Sequence, residues 1–261
     1  MRIIIPMKRV PDTETKIEVR DGQVDSGSLK SWIINPYDEY ALEEALRLVE
    51  SAGGGEIVLV TIGPDEAQET IRKGLAMGAD AAYHLVDDGF STLDSLGRAR
   101  VLAAAIEKIG DYDLIWGGKK GVDDDLGQTA VMVAHLLDLP QVTNVITVEE
   151  IGGGSATVRA EGDGGYETVR VPTPAVLTET QGPNEPRFPS LKGIMGAKKK
   201  PFTTWSAADL GLDLDALEAR VEWVEVVKPP ARAAGRILEG DAAEAVKELV
   251  RLLHDEAKVL A

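Results

Sequence analysis

RIIIPM, residues 2–7, is a short and nearly uninterrupted apolar run close to the start of the chain. A run of this length, with no polar residue alternating along it, is typical of a strand buried on both faces of a sheet. The same pattern recurs four more times, at EIVLVTI (56–62), AAYHLV (81–86), YDLIWGG (112–118) and TPAVLTET (173–180). The runs therefore predict five buried strands.

Segments with helical spacing lie between these runs. The first, residues 35–51, begins with Asn35 as a predicted N-cap and Pro36 at the first helical position. Three others follow at 64–80, 93–110 and 124–139. Buried strands alternating with helices predict a doubly wound, mostly parallel sheet of the α/β class, whose ligand binds at the carboxyl ends of the strands. That edge includes Pro6, Ile62 and Gly118.

Two stretches break the α/β alternation and are predicted to be hairpin insertions. They are residues 15–26, with a turn at Asp21-Gly22, and residues 156–171, with a turn around Asp163-Gly164-Gly165. We expect a nucleotide-binding domain over 1–181, a partner-recognition loop over 182–201, and an extended C-terminal arm with an amphipathic helix over 202–261.

The composition excludes several classes of function. The chain has 28 basic and 44 acidic residues and a formal net charge of −16, which argues against nucleic-acid binding. It has no cysteine and only three histidines, without metal-ligand spacing, so we expect no metal site and no histidine-based catalysis. No apolar stretch is long enough to predict membrane insertion, and a cytoplasmic protein is expected.

The segment GGKKGVDDDLGQT, residues 117–129, follows a predicted strand and leads into a predicted helix. Its glycines permit close approach of a ligand, and amides at the helix start, with Gln128 or Thr129, could hold a phosphate. Two alternatives remain open for Asp123, Asp124 and Asp125. They could cap the helix, or they could bind Mg²⁺, although three successive acids seldom converge on one ion.

The segment GPNEPRFPSLKGIMGAKKKP, residues 182–201, is basic and rich in proline, yet it carries apolar residues that an ordinary solvated loop would lack. Its four prolines argue against regular structure over most of its length. Apolar residues without a periodic core face indicate a loop that contacts a partner.

Several segments together resemble the β subunit of electron transfer flavoprotein. They are MKRVPDTETKI (7–17), NPYDEYALEEALRL (35–48), GPDEAQETIRKGLAMGAD (63–80), GKKGVDDDLGQT (118–129), DGGYETVRVPTPAVLT (163–178) and NEPRFPSLKGIMGAKKKP (184–201). The resemblance spans nearly the whole chain, and it implies a Rossmann-like fold related to the adenine-nucleotide α-hydrolases. It also implies an electron carrier that works as a heterodimer with an α subunit and has no catalytic residues of its own.

By the same resemblance, this subunit binds AMP structurally, and FAD is held mainly by the α subunit. Matching positions imply AMP contacts from Pro6, Asn35, Pro36, Tyr37, Asp38, Ile62, Gly118, Lys119, Lys120, Gly121, Val122, Asp123, Asp124, Asp125, Leu126, Gly127, Gln128 and Thr129. Thr13 and Tyr37 are expected near the flavin. Arg187, Leu191, Ile194 and Met195 are expected to dock a partner, with Leu191 as the anchor on a mobile stem.

The implied partners are acyl-CoA or related flavin dehydrogenases, which donate electrons, and a quinone oxidoreductase, which accepts them. A bifurcating branch of the family, with a second FAD in place of AMP, is the nearest alternative, but that branch has a threonine where Leu126 stands. An ATP-using α/β enzyme and a nucleotide sensor are alternatives from other classes.

Overall fold

The computed structural model describes residues 1–231 and 234–260. The chain forms two compact units, the first from Met1 to Glu225 and the second from Val226 onward. The strands of the first unit are β1 (Arg2–Pro6), β2 (Arg9–Pro11), β3 (Val19–Arg20), β4 (Gln23–Val24), β5 (Trp32–Ile34), β6 (Glu56–Ile62), β7 (Ala81–Leu85), β8 (Leu114–Gly118), β9 (Gln141–Gly152), β10 (Ser155–Gly162), β11 (Gly165–Pro172), β12 (Ala175–Glu179) and β13 (Phe202–Trp205). Its helices are α1 (Pro36–Ser51), α2 (Ala67–Met77), α3 (Ser95–Ile109), α4 (Thr129–Leu136) and α5 (Leu191–Ala197).

One sheet of nine strands organises the first unit, in the order β11-β10-β9-β12-β8-β1-β6-β7-β13. From β9 to β13 every pairing is parallel, whereas β10 pairs antiparallel with both β9 and β11. The chain runs outward from β1 to β7, then returns to place β8 on the other side of β1. The order of the strands therefore reverses between β1 and β8, which is where such sheets bind ligands.

Both faces of the sheet are buried, as the run at residues 2–7 predicts. Ile3 and Ile5 pack into a core with α1 and α2, and Ile4 packs into a second core with α3 and α4. All three side chains have 0% exposure. The predicted fold class, with its five buried strands, four helices and two hairpins, is confirmed.

The sheet also contains strands that the apolar runs did not predict. β13 pairs in parallel with β7 at the sheet edge, with Trp205 opposite Leu85. The expected domain boundary at residue 181 therefore falls inside the first unit. Because β13 is a short edge strand with only half-buried side chains at Phe202 and Trp205, it lacks the continuous apolar run of a central strand.

The second unit contains one helix, α6 (Ala242–Asp255), among its described residues. Asp241 caps it by accepting hydrogen bonds from the amides of Ala243 and Glu244, both at 2.9 Å. Three of its apolar side chains, those of Val246, Leu249 and Val250, are exposed. Among the described residues, none of the helices has the length and apolarity needed to cross a bilayer.

Candidate nucleotide site and docking loop

Asp38 joins three elements at the point where the strand order reverses. Its carboxylate lies buried in the first turn of α1, with 3% exposure. Oδ2 accepts a hydrogen bond from the amide of Lys8, just after β1, at 2.7 Å. Oδ1 accepts another from the amide of Gly118, at the end of β8, at 2.8 Å. One side chain thus ties α1 to the ends of β1 and β8.

Gly118 lets the end of β8 pass close to α1. A Cβ atom at this position would lie 2.5 Å from Asp38 Oδ1 and 2.6 Å from Tyr37 Cβ, which is closer than real side chains approach. The sequence predicts close approach of a ligand at this glycine. The structure adds that the protein's own helix already occupies the space of a side chain.

Asn35 holds the segment that follows β8. Its side chain is buried; Nδ2 donates to the carbonyl of Lys120 at 2.9 Å, and Oδ1 accepts from the amide of Val122 at 3.1 Å. Asn35 does occupy the N-cap position of α1, but its side chain makes no capping hydrogen bond. The predicted N-cap position is therefore confirmed, but both polar atoms of the side chain are used by the loop at 120–122 and not by the helix.

The three successive acids are paired with lysines. Lys8 Nζ lies 2.7 Å from Asp123 Oδ1 and 2.8 Å from Asp124 Oδ2, and Lys120 Nζ lies 2.6 Å from Asp125 Oδ1. Since α4 begins at Thr129, these acids do not cap it, and the capping alternative is wrong. Among the residues that the structure describes, no group of three acids or histidines could hold a metal ion.

The structure brings most of the predicted nucleotide residues to one edge of the sheet. Pro6, Ile62 and Gly118 end three neighbouring strands, Asn35 to Asp38 start α1, and residues 119–129 connect β8 to α4. Lys119 Nζ and Lys120 Nζ lie 5.3 Å and 6.0 Å from the centre of the Tyr37 ring. Thr13 lies in the exposed turn after β2. Lys8, which pairs with two of the acids, was not among the residues predicted from the sequence, although it lies only two residues after β1.

Replacing Asp38 by asparagine tests this junction. An amide has only one acceptor oxygen, so its NH₂ group would face one of the two backbone N–H donors. We expect Asp38→Asn to lower the free energy of unfolding by about 1–3 kcal/mol, the usual effect of an unsatisfied buried group. Urea unfolding at about pH 7.5 measures the change. Asp163→Asn, on an exposed hairpin turn, is the matched control, and equal losses in both variants would contradict the role of Asp38.

Glu179 is a buried acid that sequence reasoning missed. It ends β12 with 0% exposure, and its Oε2 accepts a hydrogen bond from Trp116 Nε1 at 3.0 Å. Oε1 has no hydrogen-bond partner among the described residues. Burial raises the pKa of Glu179 to about 9, and the nearby Glu44 contributes to the rise. A glutamate inside the apolar run at 173–180 was the available signal.

The segment 182–201 contains the short helix α5, which the prolines did not predict. Its apolar side chains are exposed: Phe188 by 94%, Leu191 by 76%, Ile194 by 49% and Met195 by 66%. Arg187, in contrast, points to α1, where its guanidinium binds Glu43 and Glu50. These contacts differ from the expected mobile stem, because the start of the segment is bonded to a helix of the core.

Known proteins resemble this chain over its full length. The Electron transfer flavoprotein domain family matches residues 28–210. The chain is 43% identical over 262 residues to an electron transfer flavoprotein subunit beta of Bacillus subtilis (strain 168), with 100% of both chains covered. It is 42% identical over 262 residues to the Mus musculus electron transfer flavoprotein subunit beta, with 97% of this chain and 99% of that one covered.

A third relative carries a different name. The chain is 37% identical over 244 residues to a Caffeyl-CoA reductase-Etf complex subunit CarD of Acetobacterium woodii, and 92% of each chain is covered. The family model covers more than half of the chain, and the similarity to the subunit beta relatives extends over nearly its full length. The chain belongs to the electron transfer flavoprotein family, among its β subunits.

Proposed function

We propose that this chain is the AMP-binding subunit of a heterodimeric electron transfer flavoprotein. An α subunit holds most of the FAD, and the pair carries electrons from acyl-CoA or related flavin dehydrogenases to a quinone oxidoreductase. The observation that carries the proposal is the cradle at the switch in strand order, where Gly118 and Asn35 to Asp38 hold an exposed glycine-containing loop.

The charges around residues 119–129 suit a phosphate better than the bare sequence suggests. Asp123, Asp124 and Asp125 are each paired with a lysine, so their repulsion of an anion is reduced. Backbone amides at the start of α4, with Gln128 and Thr129, supply neutral donors for phosphate oxygens. In this proposal these residues bind and orient AMP, which supplies no chemistry of its own.

Leu126 supports AMP over a second FAD. It is 39% exposed and has no hydroxyl group with which to donate a hydrogen bond to a phosphate. A bifurcating subunit with a second FAD is the alternative. The name of the caffeyl-CoA reductase relative fits electron exchange with an oxidoreductase of CoA esters, which both versions of the proposal include.

The nucleotides released from the complex test the proposal. The chain is co-expressed with its α subunit, and the purified complex is denatured and its nucleotides are identified by mass. One FAD and one AMP per heterodimer is the expected result. Two FAD would assign the chain to the bifurcating branch, and a colourless chain that hydrolyses ATP by itself would overturn the electron-carrier function.

Leu191→Ala tests the docking role of the exposed apolar surface. Removing a side chain that anchors a protein interface typically costs about 1.4 kcal/mol or more, so we expect the KM of a dehydrogenase for the complex to rise roughly tenfold. The flavin spectrum should not change. Leu136→Ala, which truncates a leucine of 40% exposure on α4, is the matched control. Unchanged transfer kinetics in the Leu191 variant would rule out the anchor.

A further inference from the structure

The start of the docking segment, residues 182–201, is held by a cluster of ion pairs with α1. Arg187 Nε lies 2.8 Å from Glu43 Oε2, and its Nη1 lies 2.6 Å from Glu50 Oε1. Its second terminal nitrogen, Nη2, lies 3.2 Å from Glu43 Oε1 and 3.2 Å from Glu50 Oε2. The guanidinium therefore bridges two carboxylates that lie seven residues apart on α1. Such planar, paired hydrogen bonds fix the orientation of the arginine side chain as well as its distance from the helix.

Glu43 is the unusual member of this cluster. Its side chain is only 1% exposed, and the next turn of α1 adds Arg47, whose Nε lies 2.7 Å from Glu43 Oε1. Burial opposes ionisation of Glu43, but hydrogen bonds from Arg187 and Arg47 outweigh burial and hold its pKa below the ordinary value. If Arg187 moved away, Glu43 Oε1 would keep its hydrogen bond from Arg47, but Oε2 would lose the two that Arg187 donates and stay buried.

Further contacts attach the segment on both sides of its exposed surface. Before Arg187, Asn184 Nδ2 donates to Glu44 Oε1 at 2.5 Å. At the end of α5, Arg72 Nη1 donates to the carbonyl of Ala197 at 2.7 Å. Lys200 Nζ donates to the carbonyl of Leu75, in the last turn of α2, at 3.0 Å and to that of Ala79, two residues after the helix, at 2.6 Å. Gly193 packs directly on the carbonyl of Ala76, where no Cβ would fit.

We propose that Glu43, Glu50 and Arg187 form a positioning cluster that fixes the orientation of the docking surface before a partner arrives. In this arrangement Arg187 affects docking through the segment that it holds. Its positive charge is paired with Glu43 and Glu50 of α1 and does not contact the partner. Ordering the segment in advance removes an entropic cost from association, which strengthens docking without a new contact. The inference rests on the proposed electron-carrier function, and it assigns a role to Glu43 and Glu50 that the sequence analysis did not.

Two substitutions separate positioning from direct contact. Arg187→Lys keeps the positive charge, but an ammonium cannot bridge both carboxylates in the planar geometry of a guanidinium. Glu43→Gln changes a residue that is buried under the segment and that a docking partner cannot reach. If the cluster positions the segment, each variant heterodimer should raise the KM of a dehydrogenase for the complex roughly tenfold and leave kcat unchanged. The double variant should then raise KM no more than either single variant does.

Lys192→Gln is the matched control, because it removes a charge from the first turn of α5 without touching the cluster. Its effect on KM should be lost in high salt, which screens exposed charges, whereas the effects of Arg187→Lys and Glu43→Gln should persist. If Arg187→Lys behaves like the original chain while Arg187→Gln is impaired, the charge alone matters and the positioning role is overturned.

Hydrogen exchange keeps the inference separate from the proposed function. In the free heterodimer, amides of residues 186–197 should exchange roughly tenfold faster in Glu43→Gln than in the original chain, and amides of β6 should not change. Unchanged exchange in 186–197 would overturn the cluster, even if electron transfer is normal. If the original complex transfers no electrons from any flavin dehydrogenase, the proposed function fails, and the exchange result alone decides for or against the cluster.

Discussion

Gly118→Ala is expected to release the bound nucleotide from the co-expressed complex. The added Cβ would lie 2.5 Å from Asp38 Oδ1, 2.6 Å from Tyr37 Cβ and 2.7 Å from the Tyr37 carbonyl carbon. A helix backbone cannot move aside as the end of a flexible side chain can, so β8 or α1 must shift. The shift breaks the hydrogen bond from the Gly118 amide to Asp38 and displaces the loop that follows.

We expect the affinity for the nucleotide to fall more than tenfold, or by about 1.4 kcal/mol or more. The free energy of unfolding should also fall by about 1–3 kcal/mol, as is usual for overpacking. Both are measured on the purified complex, by nucleotide content after dialysis and by denaturant unfolding. Gly164→Ala is the matched control, since no atom lies within 4 Å of a Cβ added there. Retention of a full equivalent of nucleotide by the Gly118 variant would contradict this account of the cradle.

Glu179→Gln is expected to stabilise the chain at alkaline pH. Burial raises the pKa of Glu179 to about 9 in the folded protein, from an ordinary value of 4.5. The folded state therefore keeps a proton that the unfolded state releases, so its stability is full below pH 4.5 and declines as the pH rises toward about 9. Glutamine resembles the protonated acid and does not titrate, so it removes this decline.

The size of the expected gain in stability follows from the pKa shift of Glu179. Each pKa unit corresponds to about 1.4 kcal/mol, and relaxation of the site reduces the full value, so we expect the variant to gain roughly 3 kcal/mol relative to the original chain between about pH 5 and pH 8.5. Urea unfolding at several pH values measures this difference. Glu167→Gln, on the exposed strand β11, is the control. Parallel stability curves for Glu179→Gln and the original chain would show that Glu179 is ionised when folded.

The layers of the fold can be predicted from the amino-acid sequence alone. Runs such as RIIIPM and EIVLVTI predict strands buried on both faces because the pattern is local, and the helices between them follow from spacing and end residues over a dozen positions. The edge of the sheet that holds Pro6, Ile62 and Gly118 follows from the same alternation. The apolar residues of 182–201 were recognisable as exposed because no periodic face could bury them, and Leu191 is exposed in the structure.

The pairing of the polar side chains, in contrast, depends on the folded structure. Asp123 is bonded to a lysine 115 positions away, Asn35 to a backbone segment 85 and 87 positions away, and Arg187 to a glutamate 144 positions away. Nothing local distinguishes a capping acid from one paired across the sheet, or a partner-facing arginine from one that binds the core. β13 and the raised pKa of Glu179 belong to the same class, since both are set by neighbours that folding brings together from distant parts of the chain.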